Sequence, residues 1–94
     1  MFSDMTFLEK LRTAHDFPCE YTFKLIGDNT QALRDGAVAQ VRAVFPELIP
    51  TVSIRQSSKA RHQSITIDVL LPNAESVVLL YTRFRRLPGL KMML

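Results

Sequence analysis

Lys59, Arg61 and His62 crowd the polar stretch 58–63, which joins two segments of alternating hydrophobicity. Two fixed cations and an imidazole this close together suit an anionic oxygen. Guanidinium and ammonium groups donate charge-assisted hydrogen bonds to carboxylates and phosphates. Earlier in the chain, Gly27-Asp28-Asn29 turns into a helical pattern. A helix N-terminus presents unpaired N–H groups and roughly half a positive charge, which favours the same kind of ligand. Gly27, Asp28, Asn29, Lys59, Arg61 and His62 are therefore the candidate ligand-binding residues, with a small anionic metabolite as the expected ligand. Each also has a plainer role. Asp28 can cap and neutralise the helix that follows it, and Lys59 and Arg61 suit a solvated hairpin tip.

Other chemistry has less to work with. His15 and Cys19 are four apart, but Pro18 interrupts any helix that would present both, and His62 is distant. A structural zinc site takes four such ligands, and these three are the chain's whole stock of His and Cys. No metal or other cofactor is expected. No serine sits in a nucleophile elbow, and no glycine-rich phosphate loop is present. Asp68 and Glu75 read as a solvated strand residue and a first-turn helix acid. No catalytic residue is assigned, and the chain is not expected to be an enzyme.

The elements that must position these groups follow from the order of hydrophobic periods. Residues 3–14 put Phe7, Leu8, Leu11 and Ala14 on one helical stripe, with Ser3 or Asp4 as cap. Pro18 ends that pattern. Tyr21, Phe23 and Leu25 then alternate with Thr22 and Lys24, as a half-buried strand does. A helix over 31–45 carries Leu33, Ala37, Val41 and Val44 inward, and Pro46 stops it. Strands follow at 51–57, with Val52 and Ile54 inward, and at 64–71, with Ile65, Ile67, Val69 and Leu71 inward. A helix over 73–87 and a last strand over 90–94 complete the order β-α-β-β-α-β. With right-handed crossovers, that order spells a ferredoxin-like α+β sandwich with sheet order 4-1-3-2 and both helices on one face. The division expected is an N-terminal helical extension over 1–16 and one domain over 17–94.

The other face of that sheet would carry Thr22, Lys24, Ser53, Arg55, Thr66, Asp68 and Lys91. No aromatic is among them, which argues against the base stacking that RNA-binding sheets use. Contact with nucleic acid would then run through phosphates and weaken steeply with salt. Leu79 projects away from the core stripe of its helix, near Arg83 and Arg86, and Arg55 stands on an edge strand. These four are the candidate interaction surface for a protein partner or a second copy. Lone exposed leucines are common, however, and a cation on an edge also discourages strand pairing.

Composition narrows the setting. Twelve basic residues against nine acidic give a net charge of +3 over 94 residues, too little to imply nucleic acid by itself. The halves differ more, with an acidic excess in 1–50 and a basic excess in 51–94. Cys19 is the one cysteine and cannot form an internal disulfide, which points to a reducing, cytoplasmic location. No apolar run approaches the ~20 residues of a membrane span, and the opening residues lack a secretion signal's basic region.

Asp16-Phe17-Pro18 through Tyr21-Thr22-Phe23-Lys24-Leu25-Ile26-Gly27 resembles the YbeD-like family of small bacterial proteins. Further support comes from Ser57-Ser58-Lys59 with Ser64-Ile65-Thr66-Ile67, from the helix around Val77 to Tyr81, and from Leu90-Lys91-Met92-Met93-Leu94. The resemblance implies a ferredoxin-like fold close to ACT regulatory domains, and so a regulatory role. It carries over no activity and no catalytic residues. Arg61-His62 and Arg85-Arg86 are more basic than the family's pattern.

Overall fold

A computed structural model describes residues 4–57, 59 and 61–94. Its elements run α1 (Asp4–Ala14), β1 (Cys19–Asp28), α2 (Gln31–Val44), β2 (Thr51–Gln56), β3 (His62–Leu71), α3 (Ala74–Phe84) and β4 (Leu90–Met93). The strands form one antiparallel sheet in the order β2-β3-β1-β4, the expected order read from its other edge. Ser3 and Ser58, named in the sequence reading, lie outside the described residues, as does position 60 of the polar stretch.

The central pair β1 and β3 is longer than alternation suggested. It is in register from Cys19↔Leu71 to Asp28↔His62. Phe23 and Leu25 of β1 share a buried face with Ile65, Ile67, Val69 and Leu71 of β3. One register thus aligns both apolar sets, and a slip by one residue would turn a whole set to solvent. Leu33, Ala37 and Val41 of α2 and Val77, Leu80 and Phe84 of α3 close over this face. Phe23 meets Phe84 edge-on at 5.2 Å and Tyr81 at 5.0 Å, contacts worth about 0.5–1.5 kcal/mol each beyond their buried area.

The helix starts follow from their caps. The Thr30 hydroxyl accepts from the Leu33 N–H at 3.2 Å, and the Asn73 carboxamide accepts from the Ser76 N–H at 2.9 Å. Thr30, rather than Asp28, is therefore the cap of α2. The helix α1 lies against α3, with Leu11 buried and Phe7 5.8 Å from Tyr81. An Arg12–Glu75 ion pair joins the two helices at their exposed side. The Glu75 carboxyl is held below its ordinary range, chiefly by its own backbone N–H, with desolvation opposing this and Arg12 adding to it.

Two expectations about orientation need correction. Ile54 does face the helix side, opposite Ile65, but it is 41% exposed because the helices do not close over the edge strand. The open face is also less polar than expected. A register shift between Ile26 and Gly27 makes Lys91 the extra residue of a bulge, so Met92 pairs with Ile26 on that face. Met92 and, further along, Leu70 are both more than half exposed.

Gly27 is set by close approach. A Cβ there would overlap the Gly89 carbonyl and come within 2.6 Å of a Leu33 methyl. Gly89 itself needs its left-handed backbone, at φ 88°. Gly27→Ala is expected to lower stability by about 1–3 kcal/mol, as overpacking does. Urea unfolding should show an earlier midpoint with an unchanged slope; an unshifted midpoint would contradict the packing described.

Candidate functional site

The turn after β1, the N-terminus of α2 and the β2–β3 hairpin meet at one end of the sheet, and one buried side chain joins them. Gln63, only 1% exposed, donates from Nε2 to the Asp28 carbonyl at 2.8 Å and to the Thr30 carbonyl at 2.9 Å. Its Oε1 accepts from Arg34 Nη1 at 2.8 Å. Arg34 also donates to Asn29 Oδ1 at 3.2 Å and to Gln31 Oε1 at 2.9 Å from Nη2, and Gln56 reaches Asn29 Oδ1 at 3.3 Å. Among the described residues no carboxylate pairs with Arg34. A guanidinium is thus held by neutral amide oxygens beside a helix N-terminus. Gln63, assigned to a polar connection from the sequence, is instead the first inward residue of β3.

The structure brings together the end of the sheet that the sequence proposed, but with altered roles. Gly27 is buried by packing. The Asp28 N–H donates to the Gly89 carbonyl at 2.9 Å, and its carboxylate lies 3.8 Å from Lys91 in an exposed pair. The Arg61 carbonyl accepts from the Asn29 N–H at 3.3 Å, which ties the hairpin directly to the turn. The side chains of Lys59, Arg61 and His62 are exposed.

On the open face beside this hairpin runs a groove of about 530 Å³, lined by Ile26, Arg55, Ser57, His62 and Ser64. Ile26, Ser64 and Arg55 stand in one row across three strands, with Met92 continuing it on β4. The Ser64 hydroxyl is buried with no hydrogen-bond partner among the described residues. Neither Arg55 nor His62 has an ion-pair partner there. The groove therefore offers two basic side chains, an unused hydroxyl and an apolar floor. Ser64 and Ile26 escaped the sequence reading, since nothing in their spacing marks a floor shared across strands.

The other candidates separate. Leu79 is 44% exposed, and α1 covers Tyr81 instead. Arg83 is not part of an open surface: it is half-buried and donates to Gln40 at 3.0 Å, pinning α3 to α2. Arg85 turns away from the hairpin towards α1 and β4, and Arg86 is exposed. His15 packs against Tyr21 at 5.3 Å, and Cys19 sits half-buried at the start of β1. Among the described residues no three His, Cys, Asp or Glu side chains gather as a metal site would need. No described helix is long and apolar enough to cross a membrane.

These features define a ferredoxin-like α+β domain. The solved structure of HP0495 from H. pylori is similar, with a TM-score of 0.69 at 13% identity over 85% of each chain. The ACT domain of a GTP pyrophosphokinase from Chlorobium tepidum is similar at a TM-score of 0.59 and 9% identity, over 80% of this chain and 94% of that one. The chain itself belongs to the family described as "Protein of unknown function (DUF493)", whose match spans residues 12–94. A UPF0250 protein of Shewanella putrefaciens is 38% identical over 80 residues, covering 84% of this chain and 89% of the relative. One from Pasteurella multocida is 33% identical over 86 residues, covering 90% and 96%.

Gln63→Leu would remove one hydrogen bond each from the Asp28 and Thr30 carbonyls and from the Arg34 guanidinium while keeping most of the side-chain volume; each group keeps another partner. A net hydrogen bond is worth about 0.5–1.5 kcal/mol, so a total loss of about 2–4 kcal/mol is expected. Thermal or urea unfolding of the variant checks this; stability equal to that of the parent would contradict it.

Proposed function

We propose that this protein is a non-catalytic regulatory domain that takes a small anionic metabolite at the hairpin end of its sheet. The observation that carries the reading is the groove beside the hairpin, where, among the described residues, Arg55 and His62 have no acidic partner and the Ser64 hydroxyl has no hydrogen-bond partner. An anion there would satisfy Arg55 directly, with Lys59 and Arg61 adding to the field and the His62 ring offering an N–H donor. Ile26 and Met92 would cover its apolar part. The likeness to an ACT domain supports a sensing role, since no residue of the groove forms a nucleophile–base pair. Its setting would be the cytoplasm.

A second reading has its own support. The edge strand β2 carries the exposed Ile54, and Ile49 just before it is 85% exposed. An open edge with apolar flanks fits pairing with a protein partner or a second copy. That reading expects assembly and indifference to metabolites.

A thermal-shift panel of phosphate, citrate and amino acids discriminates between the two. A ligand at ~100 times its Kd should add about 2.7 kcal/mol, which is several degrees for a domain this size. The shift should vanish in Arg55→Ala/His62→Ala and shrink in Lys59→Ala/Arg61→Ala. Silence across the panel, or a shift indifferent to both double variants, overturns the sensing reading.

A further inference from the structure

A second cavity lies on the opposite, helix-covered side of the sheet. It measures about 270 Å³ and opens between α1, α3 and β4, with Phe7, Val78, Tyr81, Thr82, Arg85, Met93 and Leu94 in its walls. The side chains of Phe7, Val78, Met93 and Leu94 are wholly apolar and Tyr81 presents a ring, so most of the wall favours a hydrophobic body. The polar part is concentrated on α3. Thr82 donates its hydroxyl proton to the Val78 carbonyl at 3.0 Å, which leaves the oxygen's other lone pair open. Arg85 is exposed, and its guanidinium has no hydrogen-bond or ion-pair partner among the described residues. Its place at the C-cap of α3 complements the helix dipole without using any of the guanidinium's donors.

We infer that this cavity binds a small carboxylate with an apolar ring or short alkyl body, its head on Arg85 and its body between Phe7, Val78, Tyr81 and Met93. The charge sets the class of ligand. A guanidinium fork matches a carboxylate in two parallel hydrogen bonds, and Arg85 is the one cationic side chain of the wall among the described residues. A phosphate dianion would keep an unbalanced charge against apolar walls. The volume sets the size, since it falls just below the ~300–1,000 Å³ of pockets that hold drug-sized molecules. Phe7 belongs to α1, whose residues before Arg12 lie outside the family match over 12–94. That wall is therefore an addition to the matched core. The inference does not rest on the groove at Arg55 and His62, which lies on the other face.

The test is an amide NMR titration of the full chain with 3-phenylpropionate, and in parallel with the uncharged 3-phenylpropanol. The acid should give saturable shifts confined to α1, α3 and β4, and bind at least about tenfold tighter than the alcohol, as a hydrogen bond to a charged group implies. Arg85→Gln should bring the acid down to the affinity of the alcohol. Val78→Phe should fill the cavity and abolish both, while Arg55→Ala should leave both unchanged. The inference is overturned if no saturable shifts appear at millimolar acid, if they map elsewhere, or if acid and alcohol bind the parent equally. The last comparison uses no variant, so it stands even if a substitution disturbs folding.

Discussion

The carboxamide of Gln63 is the interaction on which the functional end of this fold depends. Its two N–H donors hold two carbonyls of the turn into α2, and its oxygen holds Arg34. It joins the hairpin strand to a turn and helix start 33–35 residues earlier in the chain, adding a long-range hydrogen bond to carbonyls that otherwise have only local backbone partners. A buried amide in place of an apolar residue is costly unless every polar atom is paired. Here it is paired, and the result is a rigid corner. The same corner places the first residues of β3, so the row of side chains over the open face inherits its position from Gln63.

The two faces of the sheet divide the remaining work. The helix-side face is closed by Phe23, Ile67, Leu80, Phe84 and their neighbours, and it supplies the stability. The open face is released from packing and can carry Arg55, His62 and Ser64 without destabilising the core. The bulge at Lys91 adds to this by turning a lysine and a methionine to the same side, one towards Asp28 and the other beside Ile26. Beyond the central sheet, α1 extends the helix layer past Tyr81 and creates a second, independent recess.

Most of the fold was legible in the sequence because apolar period and buried face coincide. Tyr21-Phe23-Leu25, Ile65-Ile67-Val69-Leu71 and the stripes of α2 and α3 each state their own geometry. The errors fall where position depends on a neighbour. Ile54 follows the alternation yet stays exposed, because burial at an edge strand depends on how far a helix reaches. Met92 reaches the open face through a bulge that no local pattern announces. Gln63 looked like loop because a buried glutamine is identical in sequence to a solvated one until its partners are placed. The candidate site was legible as a cluster of charge, Lys59-Arg61-His62, but its floor of Ile26 and Ser64 comes from three-strand register. The half-buried place of Arg83 depends on Gln40, a partner on another helix that the pattern of α3 does not announce.

The central claim is that Gln63 makes the turn, the α2 start and the hairpin one cooperative unit. Native-state hydrogen exchange of the Asn29 amide, which donates to the Arg61 carbonyl, tests it most directly. The account predicts that this amide exchanges almost as slowly as the amides of the central strands, with an opening free energy close to that of global unfolding. Fast exchange of Asn29 in the parent protein, while β1 and β3 stay protected, would show that the corner opens independently and would contradict it.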